Sequence, residues 1–136
     1  MTALVDTSVW VDFLKGQDCL ETHWLRTAIA EGLPVVVPGL VVTEVLRGLS
    51  SERDAGTLER LLEEFPAAPA LGDEDYRGAA RLYRDCRSKG VTIASTVDCL
   101  IAQLAIRHRF LLLTRDRGFE AVARVAPLRL LRPRAH

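Results

Sequence analysis

Short apolar runs alternate with amphipathic segments along the whole chain, and this alternation restricts the fold more than any other feature. "ALV" (3–5) precedes a helical stretch around "TSVWVDFL", and a helix over about 19–31 brings Leu25, Ala28 and Ile29 to one side before Gly32 stops it. "VVV" (35–37) reads as a short buried strand closed by Pro38, which suits the first position of the helix continuing through "LVVTEVLRGL". "SSERDAGTLERLLEEF" repeats Leu58, Leu61, Leu62 and Phe65 at helical spacing, and "PAAPAL" fits an edge strand because its prolines cannot donate to a central ladder. A helix over 74–88 is expected to bury Tyr76, Ala79, Ala80, Tyr83 and Cys86 and to end at Gly90. There follow a helix over 95–106, the strand "FLLL" (110–113), a helix near 117–125 and a last strand "LRLL" (128–131). Apolar strands alternating with helices predict an α/β fold, a parallel sheet covered on both faces.

With 136 residues, 49% of them hydrophobic and 26% charged, the chain fits one domain spanning 1–136 with a substantial core. No run approaches the ~18 apolar residues of a membrane helix, and "MTALVDTSVW" lacks the basic-then-apolar pattern of a secretory signal, so a cytoplasmic location is expected. Cys19, Cys86 and Cys99 have no paired spacing and read as small core residues in a reducing compartment. The net charge of zero conceals a split. Through Tyr76 there are 5 basic and 14 acidic residues; from Arg77 onward there are 13 basic and 4 acidic. Such asymmetry suits self-association or a basic surface for an anionic partner, the alternative being that both halves interleave as solvated faces. "RHRF", "TRDRGF" and "RLLRPRAH" concentrate arginines in the last third, where they suit phosphate contacts.

One carboxylate, Asp98, interrupts the otherwise apolar helix "STVDCLIAQLAI". Ser95-x-x-Asp98 has the form of a capping box, which alone could account for it. The parallel-sheet architecture supplies a second account. Ligands of such sheets bind beyond the carboxyl ends of the strands. Asp6 follows the first strand in "ALVDTS" and Asp116 follows a later one in "LLLTRD"; Glu44 and Asp98 lie early in helices bordering that edge. Asp6 and Asp116 could be helix caps and Glu44 could face solvent, but joint placement at one sheet edge is not expected of independent caps.

Gathered carboxylates need a counter-ion. Two like charges ~4 Å apart repel by about 4 kcal/mol at an effective dielectric of ~20, which either drives protons onto the site or spreads it. Oxygen donors suit Mg²⁺ or Mn²⁺, and the absence of a His/Cys cluster argues against zinc. His23, His108 and His136 look unrelated to one another, and His108 reads as a helix C-terminal charge. A divalent cation held by acids at a basic-rimmed crevice suits phosphodiester hydrolysis, lowering the pKa of the attacking water and offsetting phosphate charge. Arg47, Arg115 and Arg117 are the candidate phosphate contacts, whereas Trp10 and Phe13 share a helix face and read as core.

"LVDTSVWVDFL", "TEVLRG", "TVDCLIAQLAI" and "LLTRDRGFE", in this order and at these separations, resemble the PIN-domain ribonucleases, most closely the VapC-type toxins of bacterial toxin–antitoxin pairs. The likeness covers nearly the whole chain. It implies a PIN-like fold with a central parallel sheet of about five strands. It implies Asp6 and Asp98 as principal Mg²⁺ ligands, Asp116 near the same metal, and Glu44 completing the acidic set by orienting water or a second ion. Ser8 and Thr114 correspond to hydroxyls that support the carboxylates or ligand. The resemblance further implies RNA substrates, commonly transfer RNA, growth arrest by the free enzyme, a cognate VapB-type antitoxin, and a toxin homodimer formed through helices.

Three other functions are weaker. A haloacid-dehalogenase-like phosphatase needs an aspartate where Ser8 stands. A receiver domain needs a lysine after a late strand, but the only lysines are Lys15 and Lys89. A non-catalytic metal- or RNA-binding PIN module differs from the nuclease only in binding without turnover.

Overall fold

The computed structural model describes residues 1–135. Three parallel strands, β1 (Ala3–Val5), β2 (Val35–Val36) and β3 (Leu111–Leu113), form a sheet in the order β2-β1-β3. Leu4, Val5, Leu112 and Leu113 are wholly buried, as expected of strands covered on both faces. At full burial each Leu or Val side chain contributes about 1.5–3 kcal/mol.

The sheet has three strands among the described residues rather than the five expected; the two further strands are reduced to isolated bridges. Val37 bridges Ala67 and Leu112 bridges Leu130, both parallel and each a single pair. Pro66 and Pro69, on either side of Ala67, lack the N–H that would extend its pairing. On the opposite edge, Leu112 donates to Arg129 O (2.9 Å) and accepts from Leu131 (2.8 Å), with Pro133 close behind.

Seven helices are present among the described residues: α1 (Thr7–Leu14), α2 (Leu20–Glu31), α3 (Gly39–Arg47), α4 (Glu52–Leu62), α5 (Asp73–Ser88), α6 (Thr96–His108) and α7 (Gly118–Val125). Gly32 terminates α2 in the left-handed region, φ 67°, as its position in the sequence predicts. Pro38, expected as the first helical residue, is instead the N-cap of α3 with extended backbone, ψ 149°. α4 ends before Phe65, which packs edge-on against Trp10 with ring centroids 5.5 Å apart. Trp10 is fully buried and also meets Phe13, so both aromatics belong to the core.

α5 departs from its expected orientation. Its buried face is Asp75, Gly78, Ala79, Leu82 and Cys86, while Tyr76 is 54% exposed, Ala80 is exposed and Tyr83 is half-buried. Two polar or small residues explain the rotation. The Gln103 amide of α6 occupies the space a Cβ at Gly78 would fill, so the helices approach closely only through that glycine. Asp75 goes under because its carboxylate accepts the Gly72 N–H (3.0 Å) and the Arg107 guanidinium (2.8 Å), which hold its carboxyl below the usual carboxylate range. Cys86 and Cys99 are buried thiols as expected, but Cys19 is only half-buried and stands at the N-cap of α2. No described helix is long and apolar enough to cross a membrane. His136 lies outside the described residues.

Candidate active site

The first and third strands end side by side, and the chain leaves both in the same direction. The Asp6 N–H continues the ladder by donating to Leu113 O (2.9 Å), which sets Asp6 and Thr114 next to each other at the carboxyl edge of the sheet. Thr114 Oγ1 donates to Asp6 Oδ2 (2.8 Å), and Ser8 Oγ donates to the same oxygen (3.1 Å). Ser8 Oγ also accepts the Arg115 N–H (3.0 Å), and Thr114 Oγ1 accepts the Asp116 N–H (3.0 Å). Both hydroxyls expected to support the acids are thus built into the sheet edge. Asp6 occupies the N-cap position of α1 without capping it, because its carboxylate is turned to these hydroxyls.

Asp6 is only 5% exposed, and burial raises its carboxyl above the ordinary carboxylate value. Hydrogen bonds from Thr114, Ser8 and the Thr7 backbone oppose that rise, and the nearby negative charge of Glu44 adds to it. Asp98 is raised as well, first by burial, then by the charge of Asp6, with smaller contributions from Asp116 and Glu44 against the lowering effect of Ser95. Four carboxylates from α1's cap, α3, α6 and the loop after β3 therefore share one electrostatic environment. The Asp98 N–H donates to Ser95 Oγ (3.1 Å), capping α6, while its carboxyl lies in the field of the other three acids.

Asp116 likewise has two duties. Its Oδ1 accepts the Gly118 N–H (2.8 Å) at the start of α7, and a Cβ at Gly118 would stand 3.1 Å from that oxygen. Glu44 is half-buried and accepts from Thr7 Oγ1 (2.8 Å). Thr7 is a site neighbour that the sequence pattern does not mark, although it stands between Asp6 and Ser8.

Among the described residues, none of the four acids pairs with a lysine, arginine or histidine. The donor set fits a hard divalent cation: oxygen ligands only, mutually repelling, with no positive side chain to balance them. Among the described residues no three of these side chains stand close enough to enclose an ion as they are. Coordination thus requires the carboxylates to draw inward, the reverse of the spreading that their repulsion favours.

The three candidate arginines separate. Arg115 Nη1 lies 2.5 Å from Asp12 Oδ2 and its Nε 3.5 Å from Glu21, so it ties the β3 loop to α1 and α2. Arg47, in the last turn of α3, and Arg117, at the start of α7, are exposed and form no ion pair among the described residues. Asp12 and Glu21 as partners of Arg115 were not legible, since more than ninety positions separate them from it.

With the geometry established, comparison supplies the family. Residues 3–125 match the family model described as PIN domain, and the chain belongs to that family. It is 34% identical over 126 residues to ribonuclease VapC11 of Mycobacterium tuberculosis, covering 92% of this chain and 94% of that one. The same figures hold for VapC ribonuclease Mb1587 of Mycobacterium bovis. Among solved structures, the chain resembles VapBC2 from Rickettsia felis bound to a promoter DNA fragment, with TM-score 0.76, 19% identity and coverage of 96% and 98% of the two chains. FitAcB from Neisseria gonorrhoeae gives TM-score 0.70 at 23% identity, covering 97% and 98%. At these identities the structures establish the fold: the PIN arrangement of parallel sheet and flanking helices.

Proposed function

We propose that the chain is a Mg²⁺- or Mn²⁺-dependent endoribonuclease acting as the toxin of a VapBC-type toxin–antitoxin pair. The observation that carries this reading is that Asp6, Glu44, Asp98 and Asp116 share one electrostatic environment at the carboxyl edge of the sheet, with no ion-pairing positive side chain among the described residues. Its relatives in the two mycobacteria bear the name ribonuclease, and structures of the same fold come from complexes named VapBC.

Asp6 and Asp98 would hold the cation, with Asp116 reaching it from the loop after β3. Glu44, held by Thr7, would complete the acidic set, facing the cation and its attacking water. A cation held there would supply Lewis acidity toward the scissile phosphate. Ser8 and Thr114 keep Asp6 in one orientation and leave its Oδ1 uncommitted to either hydroxyl. Arg47 and Arg117 carry the free positive charge for flanking phosphates. The substrate is RNA, with transfer RNA or another structured RNA as the favoured class. A VapB-type antitoxin and a second toxin protomer complete the assembly, which light scattering of the free chain and of the pair resolves.

The spread of the carboxylates favours one other reading, a PIN module that binds metal or RNA without cutting. Inducible expression in a bacterial host separates the two. The nuclease reading requires growth arrest by the wild-type chain and none by Asp6→Asn at equal protein level. Arrest of equal depth by both would reject it.

A further inference from the structure

Thr7 is joined to two of the four acids at once. Its hydroxyl donates to Glu44 Oε1 at 2.8 Å, across 37 positions of sequence, and its peptide bond joins it directly to Asp6. Thr7 opens α1, and Glu44 projects from α3, so the bond ties the elements that follow β1 and β2. A glutamate on a helix has three side-chain torsions and samples many orientations unless something holds its end. Among the described residues Glu44 has no ion pair to do this. The hydroxyl also does not cap its own helix, whose N-cap is Asp6.

We infer that Thr7 is a positioning residue for metal binding: it locks one oxygen of Glu44 so that the other faces the cation site at a fixed separation from Asp6. The inference rests on the metal-dependent reading above. Groups that orient ligands without touching the metal alter affinity through the orientation they impose. A threonine hydroxyl suits that task, since it donates to an ionised carboxylate and carries no charge to compete with the ion. Its β-branched side chain also restricts χ1, which limits where the hydroxyl points. Serine keeps the donor; valine keeps the shape and loses it.

The test is Mn²⁺ binding by titration calorimetry and by the paramagnetic resonance of free Mn²⁺, on the whole chain without RNA. Thr7→Val is expected to raise the dissociation constant about 10- to 100-fold, while Thr7→Ser stays near wild type. In a Glu44→Gln background the valine substitution should add little, because its effect is transmitted through Glu44. Melting curves of all five proteins control for folding, and Thr7→Ala replaces the valine variant if that one melts early. Unchanged affinity in Thr7→Val, an undiminished loss in the Glu44→Gln background, or a serine variant as weak as valine would each overturn the inference. A wild-type chain that binds no Mn²⁺ rejects the metal centre and this inference with it, whereas wild-type binding with an indifferent Thr7→Val rejects Thr7 alone.

Discussion

Thr114 Oγ1 donates to Asp6 Oδ2 at 2.8 Å across 108 positions of sequence. That bond is possible because β1 and β3 are neighbours in parallel register, Val5 opposite Leu113, so the next residue of each strand emerges at the same edge. A buried carboxylate, two hydroxyls and the loop carrying Asp116 are thereby assembled from the shortest elements of the fold. The strands supply rigidity and the residues just past them supply chemistry.

The raised carboxyls of Asp6 and Asp98 make stability depend on pH in a definite direction. A carboxyl that titrates higher in the folded chain than in the unfolded one binds more protons in the native state between those two values. The contribution of these two groups to stability is therefore fully present below the ordinary carboxylate range and is lost as pH rises through the raised native values. Metal-free protein should melt at progressively lower temperature across that interval. Asp98→Asn should melt a few degrees higher than wild type at neutral pH, and Mg²⁺ should raise the wild-type Tm more than the variant's. A calorimetric pH series with and without Mg²⁺ checks all three.

Metal affinity should show the complementary dependence. Coordination requires deprotonated Asp6 and Asp98, so Mn²⁺ binding weakens as pH falls through their raised values, at higher pH than for ordinary exposed carboxylates. Titrations at several pH values, scored by proton release, measure this.

Neutralising Arg115 and Arg117 together should weaken RNA binding and flatten its salt dependence, but unequally. Arg117→Ala should reduce the slope of log K against log salt by about one, the signature of one lost phosphate contact. Arg115→Ala should act less on the slope and more on the β3 loop, because its guanidinium is held by Asp12 and Glu21. An unchanged slope in the double variant contradicts the phosphate role.

Gly118→Ala should divide stability from activity. The added Cβ meets Asp116 Oδ1 at 3.1 Å, so the carboxylate must give by a few tenths of an ångström. Gly118 has no positive φ, and alanine at a compatible backbone stabilises by about 0.4–1 kcal/mol. Expected are an equal or higher Tm and slower cleavage, read by melting and by initial rates.

Much of this was legible in the sequence because the strands are short, wholly apolar and punctuated by Gly, Pro or an acid. The placement of Asp6 followed from one further rule, that parallel sheets work at their carboxyl ends. The face of α5 departs from its sequence pattern for a physical reason. Gly78 and Asp75 carry no apolar signal, yet one admits α6 at close range and the other is buried against Arg107, turning Tyr76 and Ala80 outward. Thr7 carries no functional signal in the sequence because a threonine at a helix start has a local explanation, and only the fold brings Glu44 within its reach. The attachment of Arg115 to Asp12 was hidden similarly, since charge runs show sign but not partner.

The most direct measurement is cleavage of a defined transfer-RNA pool by the purified chain in Mg²⁺, Mn²⁺ or EDTA, beside Asp98→Asn prepared identically. Metal-dependent cutting, abolished by EDTA and absent from the folded variant, is the predicted result and places Asp98 in a nuclease site. Cutting that persists in Asp98→Asn at the wild-type rate, or that ignores EDTA, would contradict the account.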